Sequence, residues 1–286
     1  MENIFYWIWL SILDLSQIQR NKLIEIFKTP KKIYELSQKE LEKITSSEKI
    51  IKQIITKEKR KQSQKILYET QKEKIEIITI ENNLYPSRLK NIIDFPLVLY
   101  SKGNTKLLNE KNTIAIIGTR NNSVYGKNTT LKLSYQIARK NYCVVSGLAK
   151  GIDSYAHKGA LIAKGKTIAV LGSGINYIYP KENSRLYKEI IEKEGLIISE
   201  YPLYTKPIPE YFPKRNRLIS GISDKILITE ASKKSGSIIT ANIALDQGKD
   251  IYVVPGNITS YQSEGTNNLI KEGAFLVSSL EDILDL

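Results

Sequence analysis

Residues 114–126 read IAIIGTRNNSVYG, in which a short apolar run leads to a glycine and a turn. Similar runs recur along the rest of the chain, at helix-length intervals. They are rich in Ile and Val and lack polar alternation, as is typical of parallel strands covered on both faces. We therefore predict a doubly wound, mostly parallel α/β sheet over residues 111–286. The later runs are YCVVSG (142–147), TIAVLG (167–172), LIISE (196–200), KILITEA (225–231), DIYVVPG (250–256) and AFLV (274–277).

The first 110 residues follow a different pattern. Up to about residue 70, apolar residues recur at helical spacing and Pro30 interrupts them, which predicts a small all-helical module over residues 1–70. The apolar stretch FYWIWLSIL near its start is too short to span a membrane, so we expect it to be a buried helix face. Residues 71–110 contain the strand-like IEIITI and several turn residues, and are predicted to be a connector.

Composition restricts the classes of partner. The 286 residues carry a net charge of +13, which favours a polyanion, although the abundance of Ile, Lys and Asn can also reflect genome composition. Cys143 is the single cysteine and His157 the single histidine, so we expect no disulfide framework and no dedicated metal site. The chain is accordingly predicted to be cytoplasmic, without a membrane partner.

The turn after the first strand does not fit a dinucleotide cofactor. Ligands of such sheets lie beyond the carboxyl ends of the strands, where a cofactor site requires GxGxxG. Here the turn reads GTRNNS, with Arg120 and then Ser123. An arginine fork in a glycine turn suits an external phosphodiester, so we predict no cofactor. The alternative is that Arg120 forms an ion pair that tethers a loop.

The densest basic cluster is YFPKRNRLISG, residues 211–221. Lys214, Arg215 and Arg217 follow the aromatic residue Phe212 near the start of a predicted helix. Cations are unfavourable at a helix N-terminus unless an anion is present, and backbone phosphates would supply one. The alternative is internal pairing of these arginines, with Glu200, Glu230 or Asp153 as the candidate carboxylates.

Asp153 and His157 lie one helical turn apart, an arrangement that can serve as a general base. No serine or cysteine in a nucleophile-elbow context accompanies them, and Asp153 after a glycine is expected to cap a helix. We therefore predict a structural pair, no catalytic residues and no enzymatic activity.

Eight motifs in order over residues 114–275 closely resemble the DprA/Smf family of DNA-processing proteins. This resemblance implies an extended Rossmann fold, single-stranded DNA binding without sequence preference, protection of incoming DNA in natural transformation, homodimerisation, and loading of the recombinase RecA. The motifs are GTRxxSxYG, SGLAxGIDxxAH, TIAVLGSGINxxYPxxN, ISEYP, FPxRNRLISG, SGSxITAxxALxxG, VVPG and SEGTNxLIKEGA.

The resemblance also implies which residues contact DNA, and where this chain departs from the family. The N-terminal helices resemble the sterile-alpha-motif-like or helix-hairpin-helix-like module of the family, whereas a C-terminal winged helix is not expected here. Glu210 lies close to the expected DNA path and weakens its basic character. Self-association is implied near SKKSGS and the final helices. The implied contacts are Arg120, Ser146, Gly147, Lys181, Phe212, Arg215, Asn216 and Arg217, and we predict that Ser123 and Lys214 also bind the nucleic acid.

One enzymatic alternative uses a related Rossmann fold. Nucleoside-monophosphate phosphoribohydrolases of the lysine-decarboxylase-like group carry PGGxGT followed by a catalytic glutamate. Here Pro255 and Gly256 are followed by Asn257, and SEGTN does not restore the pattern. The sequence therefore favours a DNA-binding mediator.

Overall fold

The computed structural model describes residues 2–284. Six helices form its N-terminal part, in agreement with the helical spacing of the sequence. Ser16 and Ser37 each close a capping box at the start of a helix, and Pro30 occupies the first position of α3, where its missing N–H costs nothing. The helices are α1 (Glu2–Ser11), α2 (Gln17–Phe27), α3 (Pro30–Glu35), α4 (Gln38–Ile44), α5 (Glu48–Ile55) and α6 (Lys57–Lys72).

A nine-stranded sheet forms the centre of the molecule and confirms the predicted doubly wound, mostly parallel α/β fold. The strand order is β1-β2-β6-β5-β4-β3-β7-β8-β9; β2 pairs antiparallel with β1 and β6, and all other pairs are parallel. The strands are β1 (Glu76–Thr79), β2 (Val98–Gly103), β3 (Thr113–Ile117), β4 (Cys143–Ser146), β5 (Thr167–Leu171), β6 (Leu196–Ser199), β7 (Lys225–Ile228), β8 (Asp250–Val253) and β9 (Phe275–Leu276).

The segment predicted as a connector supplies two of these strands. Val98–Gly103 pairs with β6, with Tyr100 opposite Ser199, and Glu76–Thr79 adds the edge strand β1. The predicted boundary at residue 110 therefore does not divide the sheet. The run Leu97–Tyr100 is apolar enough for a buried strand, but the preceding Pro96 made it resemble a turn.

Helices cover both faces of the sheet. Ala115 and Ile117 of β3 pack with Leu218 on one face, whereas Ile114 and Ile116 pack with Leu133 on the other. The remaining helices are α7 (Ser87–Lys90), α8 (Val124–Arg139), α9 (Ile152–Ile162), α10 (Ser184–Glu192), α11 (Tyr211–Ile222), α12 (Gly236–Asp246), α13 (Glu264–Lys271) and α14 (Glu281–Leu284).

The N-terminal helices share a core with the sheet. Trp7 and Trp9 of α1 are buried in one cluster with Tyr100 of β2 and Ile197 of β6. The helical module is therefore packed against the sheet, which fixes its position relative to the strand ends. Within residues 2–284, no helix combines the length and apolar character that crossing a bilayer requires.

The direction in which strands are added reverses at β3. From β3 the chain adds β4, β5 and β6 on one side, then returns to place β7 on the other side. The chain leaves β3 toward α8 on one face of the sheet and leaves β7 toward α12 on the other, so the two connections diverge at a switch point, where doubly wound sheets hold their ligands.

Candidate nucleic-acid interface

A cavity of about 500 Å³ opens at this switch point. The loop after β3 forms one wall, the first turns of α11 form the second, and the start of α12 closes the third side. Its floor includes Gly118 and Asp153, and its rim includes Arg120, Phe212 and Tyr179. The carboxyl ends of the strands thus hold the polar, basic and aromatic groups that the motifs predicted.

Arg120 and Phe212 form a cationic and aromatic corner at the rim. The Cζ atom of Arg120 lies 5.2 Å from the centre of the Phe212 ring, and Arg120 is exposed. The ring of Tyr179 lies 5.6 Å from that of Phe212 at an interplanar angle of 43°. A Cβ atom on Gly172 would approach Phe212 to 2.9 Å, so a glycine at this position leaves room for the ring.

A smaller cavity of about 180 Å³ adjoins the first and shares Arg120, Tyr179 and Phe212 with it. Lys150 also lines this cavity, and its ammonium group lies 2.5 Å from a carboxylate oxygen of the exposed Glu182. The two cavities form one continuous depression, with the Arg120–Phe212 corner between them.

Ser123 is engaged in the structure of the turn. Its hydroxyl caps α8 by accepting from the Gly126 amide at 3.0 Å, and it donates to Glu230 at 2.5 Å. The Ser123 amide donates to the other oxygen of Glu230 at 2.8 Å. The predicted DNA contact of Ser123 is thus replaced by an internal carboxylate, which complements the helix dipole in place of a phosphate.

Asp153 and Arg215 hold the second turn in a similar way. Asp153 accepts from the amides of Gly147 at 3.2 Å and Ala149 at 3.4 Å. It is the second residue of α9 and not its N-cap, which is Gly151, so the capping prediction is wrong. Burial raises the pKa of Asp153, and Arg215 opposes this effect.

Arg215 lines the cavity with its guanidinium directed inward. The side chain is 3% exposed and donates to the carbonyls of Gly147 and Val170. Burial lowers the pKa of Arg215 to about 10, a value at which it remains charged at neutral pH. Arg215 therefore links the ends of β4 and β5 through its hydrogen bonds. Its buried, charged guanidinium also contributes to the lining of the cavity.

Ser146 and Arg217 lie outside the cavity, contrary to their predicted DNA contacts. Ser146 is buried and donates to the Ile116 carbonyl at 2.7 Å. Arg217 is 8% exposed and lies 2.6 Å from both Asp94 and Glu200. Burial alone would lower the pKa of Arg217, but the two carboxylates outweigh burial and raise it. Both residues position the strand ends and are not available to an external ligand.

The remaining predicted contacts lie on the exposed surface or line one of the cavities. Lys181 and Lys214 are exposed, and the half-buried Asn216 lines the larger cavity. Gly147 lines the smaller one, although its amide is occupied by Asp153. Glu210 is exposed at the N-cap position of α11, where a carboxylate complements the helix dipole.

Tyr179 and the start of α12 belong to the site although neither was predicted from the sequence. Tyr179 precedes Pro180 in the same motif as Lys181, and it is 43% exposed at the rim. Ser235, Gly236 and Ser237 begin α12 inside the SGSxITA motif and line the larger cavity. Their presence in the motifs shared with the family, as an aromatic residue and as small polar residues, is the sequence feature that could have identified them.

The single histidine lies apart from the cavity. His157 is buried with its Nδ1 atom 2.7 Å from the Thr167 hydroxyl, and burial lowers its pKa to about 3. In the described part of the chain, no cluster of three His, Cys, Asp or Glu side chains has metal-binding geometry.

Comparisons with known proteins agree with the motifs. The family model of DNA recombination-mediator protein A matches residues 76–286. The DNA processing protein DprA of Bacillus subtilis is 43% identical over 211 residues, which cover 74% of this chain and 71% of that protein. Protein Smf of Escherichia coli is 40% identical over 73% of this chain and 56% of its own length.

Two solved structures share the fold at 34% sequence identity. DNA processing protein A of Streptococcus pneumoniae superposes with a TM-score of 0.83 over 100% of this chain and 97% of that one. The protein of Helicobacter pylori, whose structure describes a single-stranded DNA binding mode, has a TM-score of 0.66 and covers 73% of this chain and 94% of its own. From the family match and these relatives together, the chain belongs to the DNA recombination-mediator protein A family, which includes the proteins named DprA and Smf.

Proposed function

We propose that this protein binds single-stranded DNA without sequence preference in the cavity at the switch point. As a homodimer in the cytoplasm, it protects incoming strands and transfers them to RecA during natural transformation and recombination. The observation that carries this proposal is the corner formed by the exposed Arg120 and the half-buried Phe212 on a cavity beyond the strand ends.

The chemistry of this corner suits an unpaired strand. A guanidinium pairs with a phosphate through two parallel hydrogen bonds, and an aromatic ring stacks on any base, which gives affinity without sequence reading. Arg120 and Phe212 offer both groups side by side, and Tyr179 extends the aromatic surface. Bases of a duplex are already stacked, so they cannot use these rings.

Two carboxylates, Asp153 in the lining of the larger cavity and Glu230 bonded to the turn after β3, support a binding role over hydrolysis. Both oxygens of Glu230 accept hydrogen bonds from Ser123, and one oxygen of Asp153 accepts from two amides while the residue faces Arg215. A general base must be free to accept a proton from the substrate, whereas these carboxylates already accept hydrogen bonds from the loops after the strands. We therefore propose a mediator without catalysis, and not a phosphoribohydrolase.

The proposals on partners rest on family membership and on one surface. The description of the family as a recombination mediator supports RecA as the recipient of the strand. For self-association, β9 forms an edge of the sheet, with Phe275 42% and Leu276 48% exposed. An apolar edge strand of this kind is suited to pairing with a second copy.

Strand binding is tested with an Arg120→Glu variant and fluorescence anisotropy on labelled oligo-dT. We expect the variant to lose at least about tenfold in affinity, because a charge that paired with phosphate now repels it. Arg139→Glu is the matched control, since Arg139 is exposed at the opposite end of α8. Equal binding by wild type and Arg120→Glu, or equal competition by duplex DNA, would overturn the proposal.

The partner proposals have separate tests. RecA transfer is measured as RecA filament assembly on strands coated with single-strand-binding protein, with and without this protein. Self-association is measured by light scattering on wild type and on a Leu276→Lys variant. Filament assembly that does not respond to the protein contradicts the RecA proposal, and a monomeric wild type contradicts the dimer.

A further inference from the structure

Helix α6 carries a row of basic and aromatic side chains that the proposed function does not use. Lys57, Lys61, Lys65, Tyr68 and Lys72 are all exposed and follow helical spacing, so they share one face. The opposite face holds Ser63, Ile66 and Thr70, all buried against the molecule. We call the exposed set the α6 stripe.

The charges of this stripe are largely available. Lys65 lies 3.8 Å from Glu69, a contact typical of a weak exposed pair. Within the part of the chain that the structure describes, Lys57, Lys61 and Lys72 make no ion pair. Tyr68 is 67% exposed among them. Lysines that alternate with an exposed ring are the groups that hold a single strand through phosphates and bases.

The stripe is connected to the cavity by a single loop, residues 200–210. The Tyr204 hydroxyl donates to Glu73 at 3.2 Å, directly beyond the end of α6. Farther along the same loop, Lys206 is exposed and Pro209 lines the larger cavity. The six residues from Tyr204 to Pro209, which are five steps along the chain, span at most about 18 Å even when fully extended.

This loop also packs on the turn that carries Tyr179. The Gly174 amide donates to the Thr205 carbonyl, and the Asn176 amide donates to the Leu203 carbonyl, both at 2.8 Å. Exposed tyrosines and lysines therefore continue from the rim of the cavity, over Tyr204 and Lys206, to Lys72. The carboxylates Glu73 and Glu210 and the apolar Ile208, which is 41% exposed, interrupt this basic and aromatic surface.

We infer that a DNA strand leaving the cavity crosses residues 200–210 and continues along the α6 stripe, where lysines contact its phosphates and Tyr68 stacks on a base. This inference rests on the proposed function of the cavity. From Lys57 to Lys72 the helix rises about 22 Å, enough for several nucleotides of a single strand. Helix α6 precedes residues 76–286, so the family match does not assign it a role.

Strand length separates the two sites experimentally. The variant Lys61→Gln/Lys65→Gln/Lys72→Gln removes three stripe charges without a loss of helix propensity. It is compared with wild type on oligo-dT of about 6 and about 25 nucleotides, lengths chosen to fill one site or both. We expect unchanged affinity for the short strand, about tenfold weaker binding of the long strand, and a salt slope on the long strand smaller by about 2.

The matched control is Lys111→Gln/Lys140→Gln/Lys164→Gln. These exposed lysines precede β3, β4 and β5, so they lie at the amino ends of the strands, opposite the cavity. The control removes the same charge and should bind both strands as wild type does. Tyr68→Ala should weaken long-strand binding, whereas Tyr68→Phe should retain it because the ring remains.

Several outcomes overturn the inference. One is unchanged long-strand affinity in the stripe variant, and another is an equal loss on both strands. A defect in RecA transfer with normal long-strand binding would assign the stripe to a protein partner and also overturn it. Failure of the cavity itself is distinguished by Arg120→Glu, which must lose affinity for both lengths if the proposed function holds.

Discussion

The Arg120 guanidinium lies over the ring of Phe212, 5.2 Å from its centre, although the two residues are far apart in the sequence. Arg120 follows β3 and Phe212 begins α11, so the doubly wound topology brings them together at one edge of the sheet. A cation over an aromatic face is held in place by the ring quadrupole. The two side chains therefore form a pair without any ligand, and each member can be tested separately.

Phe212→Leu should weaken binding of oligo-dT by about 1–3 kcal/mol, or about 5- to 150-fold, because leucine is apolar but cannot stack on a base. Fluorescence anisotropy measures the loss. Phe212→Tyr is the control and should bind nearly as wild type, since it keeps the ring. Wild-type affinity in Phe212→Leu would show that the ring only supports Arg120.

Gly151→Ala should disturb the turn that carries Arg120. Gly151 has a φ of +78°, and a Cβ atom there would lie 2.4 Å from the Thr119 carbonyl oxygen and 2.7 Å from that of Arg120. We expect a loss of about 1–3 kcal/mol in the free energy of unfolding, together with weaker strand binding. Urea denaturation and anisotropy measure the two effects.

Gly248→Ala separates backbone strain from displacement of the loop. Gly248 also has a positive φ of +69°, but a Cβ atom there would meet nothing within 4 Å. This variant should lose about 1 kcal/mol of stability and keep its affinity for DNA. Equal loss of affinity in both variants would mean that the clash at Gly151 does not control Arg120.

Much of the sheet could be predicted from the sequence, because buried parallel strands leave uninterrupted apolar runs. Thr113–Ile117 and Thr167–Leu171 are buried at every position, as their composition indicated. Val98–Gly103 was missed, because antiparallel pairing with β6 depends on a strand almost 100 residues away. Local pattern does not carry that information.

The fate of each basic residue could not be predicted in the same way. Arg120, Arg215 and Arg217 are alike in type and all lie in matched motifs, yet only Arg120 is exposed. Burial of Arg217 depends on Asp94 in the segment before β2 and on Glu200 after β6. The sequence offered Glu200 as one possible partner, but tertiary packing decides which arginine it meets.

Arg217→Met should lower stability and leave strand binding nearly intact. Removing one member of a buried ion pair leaves the other without its counter-charge, at a cost of about 3–5 kcal/mol. Glu200, with 11% of its side chain exposed, then loses its hydrogen-bonded partner and keeps only the more distant charge of Arg20, whereas Asp94 is 42% exposed and can be hydrated. Urea denaturation measures the loss, and anisotropy at low temperature measures the affinity of the folded protein.

The double variant Arg217→Met/Glu200→Gln is the control and should recover part of the lost stability, because the buried charge is gone. A direct contact with DNA predicts a different result. In that case Arg217→Met would weaken binding and reduce the salt slope by about 0.7, the value for one phosphate of a single strand. That result would show that Arg217 contacts a phosphate of the DNA directly.

Stability should also fall on acidification, through His157. Burial lowers its pKa from 6.5 to about 3, so the folded protein keeps the neutral ring while the unfolded chain takes up a proton. The stabilising contribution is complete above pH 6.5 and is lost as the pH falls toward 3. At pH 5 the loss from this residue is about 2 kcal/mol, from about 1.4 kcal/mol per pH unit.

The comparison is urea denaturation at pH 7 and pH 5 of wild type and His157→Gln, whose amide can still bond to Thr167 but does not titrate. The free energy of unfolding of wild type should drop by about 2 kcal/mol more than that of the variant, and equal drops would show that His157 is protonated in the folded protein as readily as in the unfolded chain.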